Sequence, residues 1–169
     1  MNEELVQLVD CNNQPCGTAP RSQVRANGLR HRATFLFVFS GDGRLFVQKR
    51  AASKDLYPSF YDACAGGVVR AGETYECNAI REAHEELGID VDSPQGIADF
   101  LFERDKNRVW GRIFVFIHDG PFTFTDDEVE YGEFVELSEL RAPSWQPLTP
   151  DSEYALELVL AQRRESLQG

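Results

Sequence analysis

Three glutamates, Glu82, Glu85 and Glu86, crowd into a turn and a half of the segment GVVRAGETYECNAIREAHEELGI, which runs from Gly67 to Ile89. The segment reads as a helix from Thr74 to Leu87, because Ile80, Ala83 and Leu87 recur at helical spacing and Gly88 stands where helices stop. On a wheel turning roughly 100° per residue, the glutamates share an arc of about 100° that points away from this apolar stripe. Like charges at helical spacing destabilise the helix that carries them unless water or a positive partner offsets them. A solvated outer face and a divalent-cation site both satisfy that requirement.

The flanking sequence predicts a sheet around this helix. Glu4 to Asp10 (ELVQLVD) alternates as a first strand, and the turn-rich stretch that follows, up to Gly28, reads as a loose excursion. ATFLFVFS and RLFVQKR are β-rich runs separated by Gly41-Asp42-Gly43, which predicts an antiparallel hairpin. A polar connection through Tyr57-Pro58 leads to Tyr61 to Val69. IADFLFER, VWGRIFVFIH and VEYGEFVEL read as later strands. Thr149-Pro150-Asp151 opens a closing helix whose apolar residues are Tyr154, Leu156, Leu158, Val159 and Leu160. The expected class is α/β: a mixed β-sheet sandwiched between α-helices.

The 169 residues contain no Pro- or Gly-rich linker, so residues 1–169 are expected to form a single domain. A net charge of −11 without a Lys/Arg stripe excludes long nucleic acid as the main ligand, and a phosphate would have to enter on a metal. The start, MNEELVQLVDCNN, lacks a basic n-region and an apolar h-region, and no run approaches the roughly 18 apolar residues of a membrane span. The expectation is a cytoplasmic protein with no membrane partner. Cys11, Cys16, Cys64 and Cys77 form no CxxC pair and accompany no His-x-His, so they read as buried or surface thiols.

The spacing Gly67, five residues, Glu73, seven residues, Arg81-Glu82, then Glu85-Glu86, one residue and Gly88 resembles the Nudix signature G-x5-E-x7-R-E-U-x-E-E-x-G-U. It departs at Ala83, where a larger aliphatic is commoner. The resemblance implies a Nudix fold with its box at residues 67–89 and a hydrolase that cleaves a nucleoside diphosphate linked to another group. It also implies Mg²⁺ or Mn²⁺, held by Glu82, Glu85, Glu86 and the Gly67 carbonyl, with Glu73 and Arg81 bracing the loop. Hard oxygen donors suit these ions, whereas a His/Cys cluster would suit zinc. Glu85 and Glu86 are thus catalytic candidates. By position in TDDEVEYGEF, Glu128 is the candidate for orienting the attacking water, with a solvated turn acid beside Asp126, Asp127 and Glu130 as its alternative.

The likeness reaches past the box, through LRHRATFLFVF, FVQKRAASKDLYP, CAGGVV, ERDKNRVWG and LTPDS, to the branch that resembles isopentenyl diphosphate isomerase. That alignment places Arg50 and Lys54 where the isomerase holds its diphosphate, and a guanidinium fork beside an ammonium suits phosphate. An isomerase is therefore the second reading. However, Gly66-Gly67-Val68 stands where it carries Cys-Gly-His, Asn107-Arg108-Val109 where it carries Glu-x-Glu, and Asp151 where it carries tryptophan. His31 alone matches its metal histidines and reads as a packed histidine at a strand start. A third reading is a silent nucleotide-binding module, against which the intact acidic set argues. Trp110, Tyr57, Phe60 and Tyr61 could stack a base or belong to the core. A homodimer is the commonest arrangement for a soluble homo-oligomer.

Overall fold

The computed structural model describes residues 3–125 and 127–168, with side chains as far as residue 166. In chain order these form β1 (Leu5–Val9), β2 (Pro15–Pro20), α1 (Arg21–Asn27), β3 (His31–Phe39), β4 (Leu45–Arg50), β5 (Tyr61–Asp62), α2 (Tyr75–Leu87), β6 (Gly96–Arg104), β7 (Asn107–Ile117), β8 (Val129–Val135) and α3 (Pro150–Gln168). The strands make one mixed sheet with the path β2-β1-β3-β4-β5. β7 lies parallel to β3, β6 antiparallel to β7, and β8 antiparallel to β4.

β3 is the axis of the sheet, and its apolar run is explained by burial on both faces. Phe35, Phe37 and Phe39 pack on one side with Ile113, Ala155 and Val159, under α3. Leu36 and Val38 point the other way, toward Ala79, Ala83 and Leu87 of α2, as the two-residue side-chain period of a strand requires. The sheet is thereby enclosed between helices, giving the α/β/α arrangement. No helix among the described residues is long and apolar enough to cross a membrane.

Three local readings are adjusted, the first only in extent. The predicted antiparallel hairpin between β3 and β4 forms, but it is paired only at Phe39↔Leu45. β3 is already occupied along one edge by β7, from His31↔Val109 to Phe39↔Ile117. Along the other edge the 65–69 loop exchanges backbone hydrogen bonds with it, Leu36 N–H to Ala65 at 2.8 Å and Thr34 N–H to Gly67 at 3.0 Å. β4 therefore turns away to β5 and β8, and a cleft opens between the diverging ends. The expected loose excursion is instead β2 and α1, a strand antiparallel to β1 followed by a short helix that buries only Val24.

The third correction concerns α2. Thr74 caps it by accepting the Cys77 N–H at 3.1 Å, and Gly88, at φ 65°, ends it. Its inward face is centred on Ala79 and not on Ile80, which is 41% exposed. Ala79 and Ala83 are small enough for close packing on the sheet, and this rotation carries Glu82 and Glu86 inward, to 8% and 6% exposure.

Candidate active site

The cleft between β3 and β4 is lined by Gly67, Glu82, Glu85, Glu86, Arg81, Arg50, Lys54 and Glu128, residues distant in sequence. Glu73 is not in the lining. It accepts from Arg81 Nε at 2.8 Å, and its other oxygen accepts from the Arg70 N–H and Asn78 Nδ2, each at 3.0 Å. Against the cost of burial, these bonds draw the Glu73 carboxyl down to about 2. The anchored guanidinium reaches over the box, where Nη1 donates to Glu82 at 2.7 Å and Glu85 at 2.9 Å. Arg81 thus supplies one positive charge to a cluster of three glutamates.

Burial pushes the Glu82 and Glu86 carboxyls up, and their mutual repulsion adds to the shift at Glu86. One Glu86 oxygen accepts from the Gly66 N–H at 3.0 Å and from Gln48 Nε2 at 3.3 Å. The two glycines allow this closeness. A Cβ at Gly66, whose φ is +133°, would lie 2.1 Å from the Thr34 carbonyl oxygen. One at Gly67 would lie 2.6 Å from Glu82 Oε1, so the loop backbone and that carboxylate are in direct apposition. The Gly67 carbonyl accepts from the Thr34 N–H, and its second lone pair is still available.

On the opposite wall Lys54 pairs with Glu128. Although burial works the other way, that ammonium holds the Glu128 carboxyl below its ordinary value. Arg50 pins the 51–60 loop: Nη1 meets Asp62 at 2.6 Å, Nη2 the Leu56 carbonyl at 2.8 Å and Nε the Tyr57 carbonyl at 3.2 Å. His31 is buried, and burial lowers its pKa to about 4, so the ring is neutral. Its Nδ1 lies 2.9 Å from the Leu29 carbonyl, which only accepts, and so Nδ1 carries the proton. At the inner end, Asp151 accepts from Asn107 Nδ2 at 2.9 Å.

Tyr57 lines the cleft, whereas Trp110, Phe60 and Tyr61 do not. Tyr61 packs edge-on against Trp145. Among the polar residues that escape the sequence reading are Gln48, buried on β4, and Arg21 and Arg25 on α1. No sequence signal marks Gln48. The spacing of four between the two arginines becomes informative only once α1 is known to be a helix.

Among the described residues no acidic or His/Cys triad is already gathered in metal-ligating geometry, since Arg81 engages Glu82 and Glu85. The donor chemistry nevertheless fits a hard divalent cation: carboxylate and carbonyl oxygens, two of the carboxylates buried, with no thiolate among them.

Comparison with known proteins agrees with the signature and the fold. A family model described as the NUDIX domain matches residues 29–158. The uncharacterised Nudix hydrolase YfcD of Escherichia coli K12 is 42% identical over 155 residues, covering 92% of this chain and 86% of the relative. DR0079 of Deinococcus radiodurans superposes with a TM-score of 0.78 at 26% identity, covering 91% of this chain and 98% of that one. The NUDIX domain of Shewanella oneidensis NrtR, solved with ADP ribose, gives a TM-score of 0.63 at 14% identity, covering 80% of this chain and 87% of that one. These matches carry the family and leave the isomerase-like branch unsupported. A signature spaced from Gly67 to Gly88, its acids gathered at a cleft in the expected sheet, and a domain match over most of the length have one reading in common: the chain belongs to the Nudix family, hydrolases of phosphoric anhydride bonds.

Proposed function

We propose that the protein is a Mg²⁺- or Mn²⁺-dependent pyrophosphohydrolase that cleaves a diphosphate linkage in a nucleoside diphosphate derivative. The observation that carries this reading is the burial of Glu82 and Glu86 beside Glu85 and Gly67, at one end of a cleft whose other wall holds Lys54 and Glu128. Carboxylates taken out of water at a cost, with only one arginine among them, suit a site that takes up positive charge. Glu82, Glu85, Glu86 and the Gly67 carbonyl would hold the cation. When bound, it neutralises charge on the diphosphate and lowers the pKa of a nearby water.

The rest of the work falls to side chains. Glu128 would accept a proton from the attacking water as its oxygen bonds to phosphorus and the bond to the bridging oxygen breaks. Lys54 keeps Glu128 ionised for that role. Three of the five N–H groups of Arg50 are taken by Asp62 and two carbonyls, and the remaining two would meet phosphate oxygen. Glu73 would act through Arg81, fixing the helix against the loop.

ADP ribose in the Shewanella oneidensis NrtR structure supports a small diphosphate as ligand. The alkene-isomerase reading is disfavoured by Gly66-Gly67-Val68 and Asn107-Arg108-Val109, which stand where that enzyme carries its cysteine, histidine and glutamates. The test is formation of nucleoside monophosphate from nucleoside diphosphate sugars and dinucleotides with Mg²⁺ or Mn²⁺. The double variant Glu85→Gln/Glu86→Gln should lose metal-dependent turnover, and unchanged product formation would refute the assignment.

A further inference from the structure

Arg21 and Arg25 lie four residues apart on α1, hence on one face of it, and both line the cleft. Their charges are poorly matched. Arg21 Nε and Arg25 Nε reach the same Asp55 oxygen at 3.7 and 3.5 Å, and Arg21 Nη1 reaches Glu4 at 3.8 Å. All three distances exceed the range of about 2.7–3.2 Å in which N–H donors bond oxygen well. Glu4 is closer to Arg70, at 3.0 Å. Arg25 Nε is buried with no hydrogen-bond partner. Asp151 adds attraction to Arg25 from further off, but its oxygens already accept from Asn107 and the Ser152 N–H. Arg50 and Arg81, by contrast, meet their carboxylates at 2.6 to 2.9 Å.

Two forks that reach only distant carboxylates, Asp55 shared between them and Glu4 shared with Arg70, leave donors and charge in excess, and a buried donor without an acceptor is costly. A phosphate dianion corrects both deficits, because it offers several strong acceptor oxygens to two planar forks at once. We propose that Arg21 and Arg25 form a second anion subsite, which takes a phosphomonoester on the half of the substrate beyond the cleaved diphosphate. This rests on the hydrolase reading and narrows its substrate to nucleoside diphosphate derivatives carrying an additional phosphate.

The test is calorimetric titration without metal, using NADP⁺ and coenzyme A against NAD⁺ and dephospho-coenzyme A, which keep the diphosphate and lack the phosphomonoester. The wild-type protein should bind one phosphorylated member about tenfold more tightly than its counterpart, and Arg21→Ala and Arg25→Lys should each remove most of that preference. Affinity for the counterpart should stay within about twofold, which a collapsed cleft could not maintain. Arg25→Lys retains charge and stem in case truncation of the buried side chain unfolds α1. The proposal is overturned if neither phosphorylated member is preferred, or if the variants weaken all four ligands alike. Failure of the hydrolase reading would look different: no cleavage of the diphosphate with Mg²⁺ or Mn²⁺, with the preference for the phosphorylated ligand intact.

Discussion

Replacing Gly67 by alanine adds a single methyl group at the point where the loop faces the carboxylates. The new Cβ would stand 2.6 Å from Glu82 Oε1, 2.8 Å from Cδ and 2.9 Å from Oε2, where ordinary contacts are 3.4–4 Å. The φ of Gly67 is not positive, so the perturbation is steric and not one of backbone strain. Neither neighbour yields easily: the loop is tied to β3 through Thr34, and Glu82 is held by Arg81. Forcing a methyl group into such a place costs about 1–3 kcal/mol, which for a domain of this size lowers the thermal midpoint by roughly 2–12 °C. If the carboxylate gives way instead, it moves by about 1 Å, a misplacement of the order that costs roughly a hundredfold in rate. Thermal unfolding and kcat with Mg²⁺, measured on one preparation, separate the two effects. In the background of Glu82→Gln the further loss of rate should largely vanish, because both changes act on one carboxylate. A Gly67→Ala protein with the wild-type midpoint and wild-type kcat would refute the claim that loop and carboxylate are in tight apposition.

Two further outcomes follow from the charges around the cleft. Glu73 has a folded pKa of about 2 against an ordinary 4.5, so its stabilising contribution is complete above about 4.5 and is lost as the pH falls toward 2. The gap in thermal midpoint between wild type and Glu73→Gln should therefore close over that window, and a gap that persists to pH 2 would show that Arg81 does not lower the Glu73 pKa. Removing the ammonium in Lys54→Ala should raise the Glu128 pKa, moving the acid limb of the kcat/KM profile to higher pH. A limb that stays in place would remove Glu128 from the role of base.

The box helix is legible because its signals are local: a threonine cap, a spacing of three and four, and a glycine stop. What the wheel misplaces is the inward direction, since it takes Ile80 as the guide. Burial on α2 is decided by how closely Ala79 and Ala83 approach Phe114, a tertiary fact. The β3–β4 hairpin pairs only beside its turn for a similar reason, because Gly41-Asp42-Gly43 specifies the turn but cannot exclude the 65–69 loop as the partner of that edge of β3. β2 and α1 are hidden because PCGTAP lacks alternation and begins and ends in proline, while RSQVRAN buries a single valine. The residue types of Arg50 and Lys54 indicate phosphate, but their partners Asp62 and Glu128 lie 12 and 74 residues away, beyond any local pattern.

The cleft has walls of unequal permanence. The 65–69 loop is knitted into β3 at the centre of the sheet, whereas α1 is carried by the β1–β2 ribbon and rests on a small satellite core of Val6, Ala19, Val24 and Val68. Residues 11–28 are exchangeable with β1 left in place, because β1 carries the backbone bonds to the loop and only Ala19 and Val24 must keep their packing on Val68. Hydrolytic power and ligand choice would then drift independently, and grafting residues 11–28 between relatives should carry selectivity with it.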